Sequence, residues 1–276
     1  MFTLNCKGRL LVLDKPIVMG IINVTPDSFY TGSRFTGTDA ILDIAEKMLG
    51  DGATILDIGG QSTRPESDQI SADEELKRVI RPIEAIAKRF PGAFISVDTY
   101  YSVVAKEAVH AGAAIVNDIS AGKLDDQMIP VISSLQVPYI LMHMQGTPQS
   151  MQKAPQYENI CKEILEFFIK KVKEIRETGI TDIIIDPGFG FGKTIGHNFN
   201  LLKNLSAFKI LHLPLMAGLS RKSTIYKTLN VSPEDSLNGT TVLNTISLLN
   251  GASILRVHDV KEAAEVIKLF AEYQEA

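Results

Sequence analysis

A chain of 276 residues, 45% hydrophobic and 22% charged, has the profile of a globular protein with apolar mass for one sizeable core. A formal net charge of -4, with both signs spread along the chain, argues against a nucleic-acid binder, which carries a basic face. No stretch approaches the roughly 20 apolar residues that span a bilayer, and the two distant cysteines, Cys6 and Cys161, read as free thiols of a cytoplasmic protein.

Residues 1–16, "MFTLNCKGRLLVLDKP", lack the apolar core and small-residue cleavage site of a secretory leader. They read as a small hairpin turning at Lys7-Gly8. From residue 17 onward, short β-branched runs alternate with longer segments of helical periodicity. The first run is "IVMGII" (17–22), followed by a helix over 38–53, with Thr38 or Asp39 as N-cap and Gly50 or Gly52 as stop. Next come "TILDI" (54–58) and a helix over 72–90, acidic at its start and basic at its end, which Pro82 should kink or split. Then follow "AFISV" (93–97), "AIVN" (114–117) and "YILMH" (139–143), with the longest helix, 158–180, stopping at Gly179. "DIIID" (182–186), "LMAGLS" (215–220) and "SILRV" (253–257) complete eight strands, and a helix over 259–274 closes the chain.

Eight alternating strand–helix units imply parallel strands, because each crossover returns the chain to the same edge. The count and length fit one domain, 1–276, an α/β (β/α)8 TIM barrel whose N-terminal hairpin plugs the bottom. A doubly wound open sheet would favour a glycine-rich turn after its first strand, and "NVTPDSF" has no glycine.

In such a barrel the site lies at the carboxyl ends of the strands. Those ends are Asn23, Asp57, Asp98, Asn117, His143, Asp186, Ser220-Arg221-Lys222, and Arg256 with His258, all polar or ionisable. Asp98, Asn117 and Asp186 suit a flat, nitrogen-rich heterocycle with N–H donors on its edge, and the wrong ligand would leave them unpaired at a cost. Lys222, Arg256 and His258 bring positive charge toward the rim. Asn23 offers a neutral oxygen of the kind that helps hold a hydrated Mg2+. Cations with Mg2+ suit a departing diphosphate. Other groups have plainer readings. His143 reads as structural, Asp57 equally as a loop-bonding carboxylate or a ligand contact, and His110 and His212 as surface groups. "GFGFGKT" (188–194) has Pro187 where a phosphate loop needs its first glycine, so a tight strand-to-helix turn is preferred.

"GIINVTPDSF", "DIGGQSTRP", "SVDT", "VNDIS", "DPGFGFGK", "GLSRKS" and "RVHDV" stand in order from residue 20 to residue 260. Together they resemble the dihydropteroate synthase family. The resemblance implies a (β/α)8 barrel that condenses 6-hydroxymethyl-7,8-dihydropterin diphosphate with para-aminobenzoate, releasing diphosphate. It implies a pterin site of Asp98, Asn117, Asp186 and Lys222, with Gly190 and Phe191 beside it. It places diphosphate and Mg2+ at Asn23, Arg256 and His258, with Asn23 the metal ligand. It places para-aminobenzoate at Phe29, Thr63, Arg64, Pro65 and Ser223. Lys222, Asp98, Asp186, Arg256 and His258 would carry the catalysis, and the resemblance implies a homodimer.

Two departures fall in the loops after the first and second strands. Thr31-Gly32-Ser33 stands where the family usually has Asp-Gly-Gly, leaving Asp27 the nearest acid, and Gln61 and Glu66 replace a Glu and a Gly. The alternative within the same fold is a pterin-binding domain that passes a methyl group from methyltetrahydrofolate to a corrinoid. That chemistry has no use for "STRP", "SRKS" and "RVHD". A non-catalytic pterin binder would have lost the cationic residues, which this chain keeps.

Overall fold

The computed structural model describes residues 1–24, 37–61 and 69–276. The chain opens with β1 (Phe2–Cys6) and β2 (Arg9–Leu13), an antiparallel hairpin with Cys6 opposite Arg9. Its two-residue turn has φ of 54° at Lys7 and 81° at Gly8, the pair of positive values that matches the twist of the flanking strands.

Eight parallel strands follow: β3 (Ile17–Asn23), β4 (Ala53–Gly59), β5 (Phe94–Asp98), β6 (Ile115–Asp118), β7 (Tyr139–Met142), β8 (Ile183–Asp186), β9 (Met216–Ala217) and β10 (Ile254–Val257). Each pairs with its sequence neighbour from β3 to β8, and β10 pairs with both β3 and β9. The circuit closes through a parallel bridge between Ile185 and Leu215, where Ile185 N–H donates to Pro214 O at 3.0 Å. The barrel and its hairpin are as the sequence predicts.

The hairpin's inward residues, Leu4, Cys6, Leu11 and Leu13, pack against Ile17, Met19, Ile55, Ile115, Ile140, Ile184, Met216 and Ile254. These belong to the early part of the strands, so the hairpin plugs the amino-terminal end. Polar ties fasten it there. Asn5 N–H donates to Asp182 Oδ2 at 2.7 Å, and Arg9 donates to the carbonyls of Pro91 and Ala93, both at 2.7 Å.

The outer face of the strands, including Val18, Leu56, Val97, Val116, Leu141, Ile185 and Leu255, shares a second core with the surrounding helices. These are α1 (Gly37–Gly50), α2 (Ala72–Arg89), α3 (Ser102–Ala111), α4 (Met128–Leu135), α5 (Ile160–Glu177), α6 (Ile195–Lys203), α7 (Ser223–Leu229), α8 (Leu237–Leu249) and α9 (Val260–Glu275). None of the described helices is long and apolar enough to cross a membrane.

Three local expectations are corrected. Helix α2 runs through Pro82 without being split there. That proline lies in the buried stripe with Val79, Ile83 and Ile86, whose packing offsets the roughly 3 kcal/mol an interior proline costs. Helix α1 already includes Gly37, so Thr38 and Asp39 lie inside its first turn and are not its cap. The seventh strand shrinks from the expected 215–220 to Met216–Ala217. Pro214 before it has no N–H to give, and Gly218 after it weakens the extended run.

Candidate active site at the barrel mouth

Side chains alternate along each strand, so every second residue points into the barrel. Along β4 the apolar Ile55 gives way to Asp57, and along β10 Ile254 gives way to Arg256. Similarly Ser96 and Asp98 follow Phe94, Asn117 follows Ile115, and Asp186 follows Ile184. The dry bottom therefore carries a polar layer above it.

Arg256 is the hub of that layer. Its Nε donates to Asp57 Oδ2 at 2.6 Å, and its Nη2 donates to Asp98 Oδ2 at 2.5 Å. Asn117 Nδ2 donates to the same Asp57 oxygen at 3.1 Å. Asp57 is fully buried and bonds neither of the groups expected of it: its donors are the side chains of Arg256 and Asn117, not loop amides. Arg256 is also deeper than a rim position, because two aspartates draw its guanidinium inward.

Lys222 reaches the pocket from the start of α7. Its ammonium donates to the Phe189 carbonyl and sits 4.7 Å from the centre of the Phe191 ring, a cation–π contact. Gly190 lies against it; a β-carbon there would come within 3.3 Å of Lys222 Cδ. Asp186 Oδ1 accepts from Gly188 N–H at 2.8 Å, which fixes the head of the same turn. Nearby, the β9 and β10 loops are tied together. His258 N–H donates to Ser220 Oγ at 3.2 Å, and Arg221 holds Asp259 through two bonds of 2.9 and 2.6 Å. Ser223 opens α7 beside Lys222, and Asn23 is exposed at the end of β3.

Burial governs the charges. It pushes the Asp98 carboxyl up to about 7 against the pull of Arg256. It raises Asp186 also, opposed chiefly by Lys222. It lowers the Lys222 ammonium to about 8, opposed by Asp186. The pocket holds these charges poorly solvated, the condition under which a polar ligand that pairs with them gains most.

The structure thus brings Asp98, Asn117, Asp186, Gly190, Phe191, Lys222, Arg256, His258, Ser223 and Asn23 to the carboxyl end of one barrel. Phe29, Thr63, Arg64 and Pro65 lie outside the described residues, as do Asp27, Thr31, Gly32, Ser33 and Glu66.

Two buried groups escape a reading of the sequence. Lys193, in the turn after β8, is 3% exposed. Glu75 sits in the first turn of α2 as a favourable acid should, yet it is 1% exposed, with Gly60 packed against it. Thr99 Oγ1 donates to Glu75 Oε2 at 3.1 Å, and Glu75 Oε1 has no partner among the described residues. Burial pushes Glu75 from its ordinary 4.5 up to about 8, so the folded protein holds its proton at neutrality. Its contribution to stability is full below about pH 4.5 and is lost progressively as pH rises toward about 8, because only the unfolded chain releases the proton in that window. Thermal melts at pH 5 and pH 8 should show the wild type losing stability relative to Glu75→Gln as pH rises. Parallel behaviour of the two proteins would mean that Glu75 is ionised when folded.

The family model for "Pterin binding enzyme" matches residues 19–258. Dihydropteroate synthase of Escherichia coli (strain K12) is 43% identical over 268 residues, covering 96% of this chain and 94% of that protein. The crystal structure of the Yersinia pestis dihydropteroate synthase with a sulfonamide drug complex superposes with a TM-score of 0.94 at 41% identity and full coverage of both chains. Dihydropteroate synthase from Xanthomonas albilineans in complex with 7,8-dihydropteroate gives 0.90 at 35% identity, again over both whole chains.

Proposed function

The chain belongs to the dihydropteroate synthases among the pterin-binding enzymes, and on that premise we propose how its own side chains divide the reaction. The enzyme is a transferase of folate synthesis. It joins 6-hydroxymethyl-7,8-dihydropterin diphosphate to para-aminobenzoate, giving 7,8-dihydropteroate and diphosphate. The methyl-transfer alternative finds no support among these relatives.

The observation that carries the assignment of roles is the convergence of Asp98, Asn117, Asp186, Lys222 and Arg256 on one mouth. The pteridine edge bonds to Asp98, Asn117 and Asp186, with Lys222, Gly190 and Phe191 against it. An aromatic amine is neutral at pH 7 and attacks without prior deprotonation, so the protein's task is to help the leaving group depart. The bond between the exocyclic carbon and the diphosphate oxygen breaks, and its electron pair leaves with the diphosphate. The electron-rich ring shares the positive charge left behind, which Asp98 and Asp186 stabilise. Lys222, Arg256 and His258 meet the charge on the diphosphate. The amine nitrogen then bonds to the carbon and loses a proton to water. Ser223 and the loop residues Phe29, Thr63, Arg64 and Pro65 form the para-aminobenzoate site in this scheme.

Mg2+ accepts few protein ligands and keeps water and phosphate oxygens around it. The exposed amide of Asn23 at the strand end is a donor of that kind, so this one residue suits the ion. When bound, Mg2+ would supply charge neutralisation to the diphosphate. Further parts of the proposal concern assembly and place. Helices α6 to α8 and the turn after α7 expose Phe199, Leu229, Val242 and Val231, apolar area that a second copy would cover in a homodimer. The two free thiols, Cys6 and Cys161, accord with a cytoplasmic location.

Purified protein given both substrates and Mg2+ should release diphosphate, and a sulfonamide should compete with para-aminobenzoate and not with the pterin. Folded protein that releases none would remove the proposed mechanism. Purely pterin-competitive inhibition would displace the Thr63–Arg64–Pro65 pocket.

A further inference from the structure

The loops after β9 and β10 carry cations assigned to the leaving group, and one ion pair joins them. Arg221 immediately precedes Lys222, and Asp259 immediately follows His258. Arg221 Nε donates to Asp259 Oδ2 at 2.9 Å and Nη2 donates to Asp259 Oδ1 at 2.6 Å, so one planar fork grips both carboxylate oxygens. Inside this outer tie lies a second. Ser220 Oγ accepts from His258 N–H and lies 3.2 Å from His258 Nδ1.

Most ion pairs at a protein surface contribute little. This one differs in that each partner gives up a local preference to form it. Arg221 has a φ of 54°, in the left-handed region that glycine enters freely and an arginine rarely does. It is the third residue of a turn in which Lys222 N–H donates to Leu219 O at 3.1 Å, and a glycine would make that turn without strain. Asp259 stands at the N-cap of α9, where an aspartate normally accepts from the amides of the first turn, yet its side chain makes no capping bond. Its carboxylate is turned to Arg221 instead. Neither local structure asks for this pair of side chains; the bridge between them does.

The bridge fixes a spacing. Thr240 Oγ1, in α8, accepts the Arg221 N–H at 3.1 Å and holds that backbone from behind. The guanidinium then draws the head of α9 to the same point. Lys222 on one loop and His258 on the other thereby keep a set separation across the mouth. Groups that act together on one anion from separate loops are effective only when their spacing is fixed beforehand.

We infer that Arg221 and Asp259 are positioning residues that act as a pair: their bridge sets the spacing of Lys222 and His258 for the departing diphosphate. The inference rests on the assignment of those two cations to the leaving group.

The test is a double-variant cycle of Arg221→Gly and Asp259→Asn, reading kcat and the inhibition constant for inorganic diphosphate at fixed Mg2+, with a thermal melt of each protein. Glycine suits the turn and asparagine suits the cap, so each variant keeps the local backbone and removes the bridge. Each single variant should lower kcat about tenfold and weaken diphosphate inhibition about tenfold, as small displacements of positioned groups do. The double variant should be no worse than the poorer single, because the two residues work as one unit. Arg221→Lys keeps the charge without the two-pronged grip and should fall between the wild type and Arg221→Gly; it replaces Arg221→Gly in the cycle if that variant does not fold. Losses that multiply in the double variant would overturn the inference. So would a weakened Arg221→Gly beside an Asp259→Asn with wild-type kinetics, which would mean that Arg221 itself touches the diphosphate. Variants that melt lower but keep wild-type kcat and inhibition would make the bridge structural alone. In each of these cases a wild-type enzyme that turns over and is inhibited by diphosphate leaves the assignment of Lys222 and His258 standing; a wild-type enzyme indifferent to diphosphate removes both.

Discussion

Arg256→Met should lower the melting temperature by roughly 10 °C and abolish measurable turnover. The reason lies beneath the pocket. Asp57 and Asp98 share one guanidinium, at 2.6 and 2.5 Å, and Asp57 has no exposure to water. Removing one partner of a buried ion pair costs about 3–5 kcal/mol, because the remaining charge is left uncompensated. For a domain of this size each kcal/mol moves the midpoint by roughly 2–4 °C. The second variant Asp57→Asn/Arg256→Met removes one of the stranded charges and should regain part of the stability with none of the activity. A single variant that melts with the wild type would show that the triad is not a structural element. Recovery of activity in the double variant would show that Arg256 does not act on the leaving group.

Lys222→Ala should behave in the opposite way. Turnover should fall about 100- to 1,000-fold, the usual effect of losing one preorganised group aimed at developing charge. The melting temperature should stay near wild type. Lys222 stands at the start of α7, where the helix dipole opposes a cation. Its partners there are one carbonyl and one aromatic face, which suits a group placed for a ligand. A melt displaced as far as that of Arg256→Met, with turnover falling in proportion, would make Lys222 structural. These two variants separate the layers of the mouth: Arg256 joins stability to activity, while Lys222 carries activity alone.

Much of this was legible in the residues. The short β-branched runs ending in Asn23, Asp98, Asn117, Asp186 and Arg256 located the mouth, because burial of both faces of a parallel strand leaves polar groups only at its end. Lys7-Gly8 marked the hairpin turn correctly. Where reading failed, tertiary contacts had decided. Pro82 argues locally for a break in α2, and only the buried stripe around it keeps the helix whole. Glu75 looks like an ordinary first-turn acid, since nothing in the local pattern shows that Gly60 will pack against it. Asp57 could not be assigned until Arg256, 199 positions away, was seen to reach it. Lys193 follows a glycine-rich stretch that invites comparison with a phosphate loop, and its true acceptors come from His143, 50 positions earlier.

A crystal structure with bound 7,8-dihydropteroate tests the central assignment most directly. The account predicts the pteridine edge within hydrogen-bonding distance of Asp98, Asn117, Asp186 and Lys222, with the aminobenzoate arm directed outward past Ser223. A pteridine seated at the hairpin end, or an aminobenzoate group lying against Asp98 and Asp186, would contradict it.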